Sequence, residues 1–318
     1  MGARLALEML TLFTLVPALP RIVRVVLAIG FSVLVLPAYS ADTKTLQIKP
    51  ASALSVRWQP QRLVNGSPVL FLVTSRQALK SLSGKWLEHD VFFSSDARGK
   101  SWYGIAGASF ETHPGKYSLE LSGESVSGKP VSFQKVVPVK KGKYISSQAS
   151  VPKQFTEPSP EQLKKISEDK TLKERTFAHV TSERLWTGRF RAPATAPISG
   201  VFGTNRTFNG QVQSVHQGLD FAVPEGTPVT AVNSGTVLLA QPLFFEGGFV
   251  VLDHGQGLLT LYMHLSKIEV KEGDHVAGGQ KLGLSGGTGR ATGPHLHVAV
   301  RWQGVYLDPA TLLSLSVP

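Results

Sequence analysis

Apolar residues in this sequence fall in short runs broken by glycine, and few recur at the three-to-four spacing that a long helix needs. A chain patterned this way buries its side chains through short strands and tight turns. Before residue 140 such runs are Pro68–Val73, Lys116–Leu121 and Val131–Val137, separated by Gly, Ser, Asn and Asp. Several short strands with regular turns predict a small antiparallel sandwich over residues 43–140. His89 and His113 fall in loop-like sequence there and read as surface histidines. From Phe190 onward the texture tightens. Val229–Leu239, Gly248–Asp253, Leu258–His264 and His295–Trp302 read as strands between glycine-bearing turns. Residues 189–318 are therefore expected to form a second, compact antiparallel β-domain. The fold class is mainly β, and 318 residues suit two such domains better than one.

Between the two lies a basic, Ser- and Pro-bearing stretch, 141–158, that reads as linker. Ser159 then offers a helix cap, Pro160 fits a first turn, and Gln162 completes a capping box. A connector helix is expected from about 160 into the 170s, with Leu163 and Ile166 on one face. The region 141–188 is assigned as linker and helix.

Residues 1–41 have the layout of a signal peptide. Arg21 and Arg24 precede an apolar segment from Val25 to Leu36, Pro37 ends it, and Ala38-Tyr39-Ser40 supplies small residues for cleavage. Val25 to Leu36 is shorter than the roughly 20 apolar residues a spanning helix needs. The apolar stretch Leu5–Leu19 makes the leader long, which fits either an upstream start codon or a retained anchor. The expectation is export to the periplasm, with secretion or anchoring by an uncleaved leader as variants. No stable membrane insertion is expected after cleavage, and the chain is expected to be a monomer.

Cysteine is absent, which excludes disulfides, thiol nucleophiles and Cys-based metal sites. The net charge is +11. Residues 1–40 contribute +2 of it through Arg4, Arg21 and Arg24 against Glu8, which leaves +9 on the rest. A basic surface suits an acidic polymer, but no Lys/Arg run marks a dedicated patch, and no nucleic acid partner is expected.

Two clusters can carry chemistry. His216 and Asp220 stand four apart around Gly218, where the chain turns into a strand. His295 and His297 stand two apart, on one face of a strand. Imidazole and carboxylate are zinc donors, and three protein ligands with an open position define a catalytic zinc site. His216, Asp220 and one of His295 and His297 would supply the three. The other would stay free as a base, and His264 is a further candidate. Gly286–Gly293 brings flexible backbone beside them, which suits either a plain turn or close approach of a substrate.

Over residues 190–310 the sequence resembles the lysostaphin/LytM-type zinc endopeptidases. The resemblance rests on Ile198–Gly203, Arg206 with Phe208-Asn209-Gly210, His216-Gln217-Gly218-Leu219-Asp220, Pro224–Val229, Tyr262-Met263-His264-Leu265 and Gly293-Pro294-His295-Leu296-His297. It implies one zinc ion held by His216, Asp220 and His297, with His264 and His295 as a non-ligand catalytic pair whose division of labour stays open. It also implies an antiparallel β core with the metal in a groove. Within the glycine-rich stretch, Gly289 and Arg290 are expected to bind substrate. The implied activity is hydrolysis of peptide cross-links in bacterial peptidoglycan, either D-Ala-linked or glycine-containing. Latent relatives suggest Asn205 as a fourth ligand, with residues 43–185 docked on the groove. The alternative is a non-catalytic cell-wall binding or amidase-activating module, which predicts missing ligands; none is missing. His254, His275 and His179 are expected to be structural or exposed.

Overall fold

The computed structural model describes residues 54–210 and 212–316. The expected leader lies outside them. Among the described residues no helix is long and apolar enough to cross a membrane.

Two four-stranded antiparallel sheets form the N-terminal part. One runs Leu54–Gln59, Pro68–Ser75, Ser101–Gly107, Ser94–Ser95 in spatial order; the other runs His89–Phe92, Leu79–Trp86, Gly115–Ser125, Pro130–Val139. Alternation supplies the core. In Leu79–Trp86, Leu82 and Trp86 are buried while Ser81, Ser83 and Lys85 face water. Trp86 packs edge-on against Phe71 of the opposite sheet at 5.5 Å, and its indole N–H donates to the Gly107 carbonyl at 2.8 Å. His89 begins a strand, rather than lying in a loop, and its ring stacks on Trp302 at 5.1 Å.

The C-terminal part is built on one large antiparallel sheet. Its order is Ile198–Gly200, Leu219–Phe221, Leu296–Trp302, Leu258–Leu265, Gly247–Asp253, Gly235–Leu243, His275–Val276, with Val305–Leu307 paired to Leu296–Trp302 at the side. Both faces are covered, so the central strands are apolar throughout instead of alternating. Leu296, Val298, Val300 and Trp302 enter the main core, together with Tyr262, Val250 and Leu252. Ala299, Leu261, Phe249, Val251 and Leu239 form a smaller core on the other face.

The capping box is present: the Ser159 hydroxyl accepts from the Gln162 N–H, and the Gln162 side chain accepts from the Ser159 N–H. The helix runs Pro160–Phe177. It covers the smaller core with its second half. Leu172 and Phe177 pack on the sheet, and Asp169 accepts from the Phe244 N–H at 2.7 Å. Leu163, which the spacing puts on one face with Ile166, is 53% exposed. Docking is fixed instead by Asp169, a buried acid whose second oxygen is paired with Lys165 at 2.6 Å. Within the stretch read as linker, Ser146–Ala149 is a strand paired in parallel with Asn205–Phe208, which pairs on its other side with Val212–Val215. Backbone pairing of this kind needs no apolar signature, which is why a Ser- and Gln-rich segment could enter a sheet.

The two parts meet closely. A Cβ on Gly107 would lie 2.5 Å from a Leu307 methyl, so only glycine permits that approach. Gln256 is fully buried with φ of 53°. Its amide donates to the Tyr103 carbonyl at 3.0 Å and accepts from the Ile105 N–H at 3.3 Å, so a side chain extends the edge of a sandwich strand. Replacing Gln256 with Ala strands those buried backbone groups. It is expected to lower unfolding free energy by about 1–3 kcal/mol in urea titration.

Candidate active site

Strand register brings the site together. Leu219–Phe221 pairs with Leu296–Trp302 so that Asp220 stands directly opposite His297, and His297 stands opposite Met263 on its other side. Opposed residues in an antiparallel pair hold their side chains on one face, about 5 Å apart at Cβ. His216 precedes the first of these strands by one tight bend at Gly218. A Cβ there would lie 2.3 Å from His297 Nε2, so the bend needs glycine for the ring to lie against it. His216 Nε2 lies 3.0 Å from Asp220 Oδ1 and 3.0 Å from His297 Nδ1, and His297 Nδ1 lies 2.8 Å from Asp220 Oδ1. All three residues are buried.

Outer contacts orient these atoms. His216 Nδ1 lies 2.7 Å from the Val201 carbonyl, which fixes its proton there and turns the Nε2 lone pair inward. Arg206 donates to Asp220 Oδ2 at 2.6 Å and leaves Oδ1 for the cluster. Burial alone would raise the Asp220 carboxyl. Hydrogen bonds from His216 and His297, and their charges, outweigh it and hold the group well below the usual carboxylate range. Burial pushes His297 down, against the hydrogen bond to Asp220.

Two more imidazoles face the same place. A β-bulge between Leu258–Leu265 and Gly247–Asp253 inserts an extra residue near His264. His264 adopts φ of 64°, a left-handed conformation unusual for a residue with a Cβ. Its N–H donates to the Glu246 carbonyl at 2.8 Å, and its Nδ1 lies 2.8 Å from the Thr288 carbonyl. That anchors one ring nitrogen and frees the other. Burial, then the nearby imidazoles, lower it to about 3, so it is neutral at pH 7. His295 lies just before its strand. Its Nδ1 is 2.8 Å from the Gly293 carbonyl and its Nε2 is 3.8 Å from Asp220 Oδ1. The His264 and His295 rings are 4.7 Å apart.

The five side chains line a groove of about 630 Å³, of the size that small-molecule and peptide sites commonly have. Arg290 lines it too. Gly289 does not line it; it lies at φ of 72° against the Gly247 backbone, where a Cβ would be 2.3 Å from the Gly247 nitrogen, and borders a separate cavity. Asn205 is not brought to the cluster. Its side chain is exposed, and the next residue in the strand, Arg206, turns inward to Asp220. Alternation along a strand sends neighbours to opposite faces, so the two cannot both face Asp220. The inward roles of Arg206, Val201, Thr288 and Glu246 were not read from sequence. Backbone carbonyls carry no residue signal, and Arg206 stands fourteen residues from its partner.

A model for peptidase family M23 matches residues 214–309, a segment that contains all four histidines and the aspartate of the cluster. Residues 214–309 form a peptidase M23 domain. Among the relatives of this segment, the peptidoglycan DD-endopeptidase ShyA of Vibrio cholerae serotype O1 is 45% identical over 103 residues, which are 32% of this chain and 23% of that protein. The chain spans about a quarter of the length of the curated relatives it matches. A crystal structure assigned to peptidase M23 from Pseudomonas aeruginosa has a TM-score of 0.58 and 28% identity, covering 79% of this chain and 94% of that one. The catalytic domain of the antimicrobial peptidase lysostaphin from Staphylococcus simulans is 33% identical, with a TM-score of 0.31, over 41% of this chain and 90% of that one.

The other histidines stand apart. His275 and His179 are exposed. His254 is fully buried, 2.7 Å from the Ser234 carbonyl through Nδ1 and 2.7 Å from the Thr260 hydroxyl through Nε2. Burial pushes it down to about 4. The unfolded chain takes up the proton near pH 6.5, well before the folded protein does. His254 therefore contributes stability that is full above about pH 6.5 and lost as pH falls toward 4, by roughly 2–3 kcal/mol. Denaturant titrations at pH 7 and pH 4.5 are expected to differ less in His254→Asn than in the parent protein.

Proposed function

We propose that this chain is a zinc-dependent endopeptidase that hydrolyses peptide cross-links of bacterial peptidoglycan outside the cytoplasm. The observation that carries the reading is the convergence of His216 Nε2, Asp220 Oδ1 and His297 Nδ1 within 2.8–3.0 Å of one another at the floor of an open groove. Tetrahedral zinc with bonds of about 2.0–2.1 Å sets its ligand atoms roughly 3.3 Å apart, so the triangle fits that ion with little expansion. The donor set agrees, since each imidazole presents a ring nitrogen and the carboxylate is ionised. When bound, zinc supplies Lewis acidity that polarises a carbonyl and makes water acidic near neutral pH.

The remaining chemistry falls to the chain's own groups. His264 and His295 each have Nδ1 tied to a backbone carbonyl, which leaves Nε2 free, and His295 Nε2 stands 3.8 Å from Asp220 Oδ1. A neutral imidazole so anchored can take a proton from water at Nε2 and return it to the departing amine. Its partner, with Nδ1–H already on a carbonyl, can donate to the oxyanion through Nε2 only as the imidazolium. Ser147 and Gln148 of the segment upstream of the family match line one wall of the groove and lie where a peptide would run. The ShyA relative, a peptidoglycan DD-endopeptidase, supports cell-wall peptide as the substrate class.

Digestion of purified muropeptides, read by mass spectrometry, is expected to yield cleaved cross-links that a zinc chelator abolishes. Intact substrate after incubation with zinc-loaded, folded protein would sink the reading. His297→Ala is expected to lower cleavage by at least about a thousandfold, since it removes a ligand from a three-ligand site. Arg206→Ala leaves the ligands in place but frees Asp220 Oδ2. Zinc affinity, measured by competition with a chromophoric chelator, is expected to fall roughly tenfold to a hundredfold.

A further inference from the structure

The loop Val201–Thr204 and His216 are tied together at three points. His216 Nδ1 lies 2.7 Å from the Val201 carbonyl. The Gly203 N–H donates to the His216 carbonyl at 2.8 Å, and the His216 N–H donates to the Thr204 carbonyl at 2.8 Å. Ring and backbone of His216 therefore go where the loop goes. The loop has little to hold it from within. Val201 is 45% exposed. Glycines at 200 and 203 flank the Val201-Phe202 pair, with Gly203 at φ of 79°. The apolar anchor is Phe202, which is buried but lies outside the two cores that flank the large sheet.

What Phe202 rests on comes from the N-terminal sandwich and the segment that leaves it. The rings of Phe110 and Tyr144 lie edge-on to it, at 6.4 and 6.5 Å, and pack on each other at 4.5 Å. A Cβ on Gly66 would fall 2.7 Å from the Phe202 ring. A Cβ on Gly203 would fall 2.0 Å from the Tyr144 ring, so the loop backbone lies directly against that ring. Asn65 clamps the wedge from behind. Its Nδ2 donates to the Phe110 carbonyl at 2.6 Å, its Oδ1 accepts from the Gly142 N–H at 2.8 Å, and its carbonyl accepts from the Tyr144 hydroxyl. Ile145, next to Tyr144, offers its carbonyl to the Asn205 N–H at 2.8 Å and fixes the far end of the loop.

We propose that the sandwich sets the ring of His216, with Tyr144 and Phe110 as positioning residues that act through Phe202 and the Val201 carbonyl. A carbonyl displaced by about 1 Å no longer meets Nδ1–H within hydrogen-bond range. The imidazole is then free to turn or to exchange tautomers, and its Nε2 lone pair leaves the cluster. The inference rests on the endopeptidase reading for its consequence, which is zinc affinity; the orientation of the ring belongs to the chain itself. On this account the N-terminal part helps to build the site from some distance, through contacts that touch neither metal nor substrate.

The test uses full-length variants. Tyr144→Ala empties the space under Gly203 and Phe202, whereas Tyr144→Phe keeps the ring and loses only the hydroxyl. Imidazole N–H protons are followed by 15N-edited NMR on metal-free protein, and zinc affinity is measured by competition with a chromophoric chelator. The His254 Nδ1–H, buried on the Ser234 carbonyl, serves as the internal control. In Tyr144→Ala the His216 Nδ1–H signal is expected to broaden or vanish while that of His254 persists. Zinc affinity is expected to fall roughly tenfold to a hundredfold, the range for loss of support behind a ligand. Tyr144→Phe is expected to keep both near the parent values. Phe110→Leu is expected to shift both in the same direction by less, and serves if Tyr144→Ala does not fold. A His216 signal unchanged in folded Tyr144→Ala overturns the proposal even if the urea midpoint drops, because the rings then serve stability alone. Joint loss of the His216 and His254 signals overturns it too, as a general loosening. So does zinc affinity that stays at the parent value. If the parent binds no zinc but its His216 signal still depends on Tyr144, the endopeptidase reading fails while this one stands.

Discussion

The pairing of Leu219–Phe221 with Leu296–Trp302 is the constraint on which the site depends. It sets Asp220 against His297 and lets the bend at Gly218 swing His216 onto both. A slip of one residue would send Asp220 to the opposite face of the sheet and dissolve the cluster. The apolar neighbours prevent that slip. Leu219, Phe221, Leu296 and Val298 are all nearly fully buried, and they keep the ligand-bearing residues on the groove side. The core thus enforces the geometry of the polar centre, at no cost in polar groups of its own.

Around that fixed pair the site gains its properties from outer contacts. Val201, Gly293 and Thr288 each offer a carbonyl to one imidazole nitrogen. Each carbonyl selects a tautomer, and together they leave a lone pair or a donor facing inward from every ring. The left-handed backbone at His264 costs on the order of 1–2 kcal/mol. It is held by the Glu246 carbonyl and by the bulge, so its orientation does not rely on side-chain packing alone. Arg206 is bound to Asp220, while Arg290 lies 4.8 Å from the ring centroids of Phe208 and Phe245.

Much of this was legible in the residues. The i, i+2 spacing of His295 and His297 and the i, i+4 spacing of His216 and Asp220 pick out four side chains that line one groove. Alternation and glycine punctuation mark the β architecture. Ser159, Pro160 and Gln162 mark the start of the helix, because a cap is a local hydrogen-bonding problem. Long-range choices were not legible. Nothing in Ser146–Ala149 says that it pairs with Asn205–Phe208, since that bond lies wholly in the backbone. Nothing in the sequence says that Asp169, rather than Leu163, fastens the helix. The choice between Asn205 and Arg206 as the residue facing Asp220 depends on strand phase, which only the fold decides.

The helix Pro160–Phe177 has a consequence for how the chain can be cut down. Leu172 and Phe177 shield Leu239, Phe249 and Leu261, on the same side of the sheet that carries His297. A protease that severed the chain after this helix, and released everything before residue 189, would uncover a greasy flank continuous with the groove. Such a fragment would be sticky. The C-terminal part therefore keeps that flank covered only while the helix Pro160–Phe177, well ahead of the histidine cluster, stays joined to it.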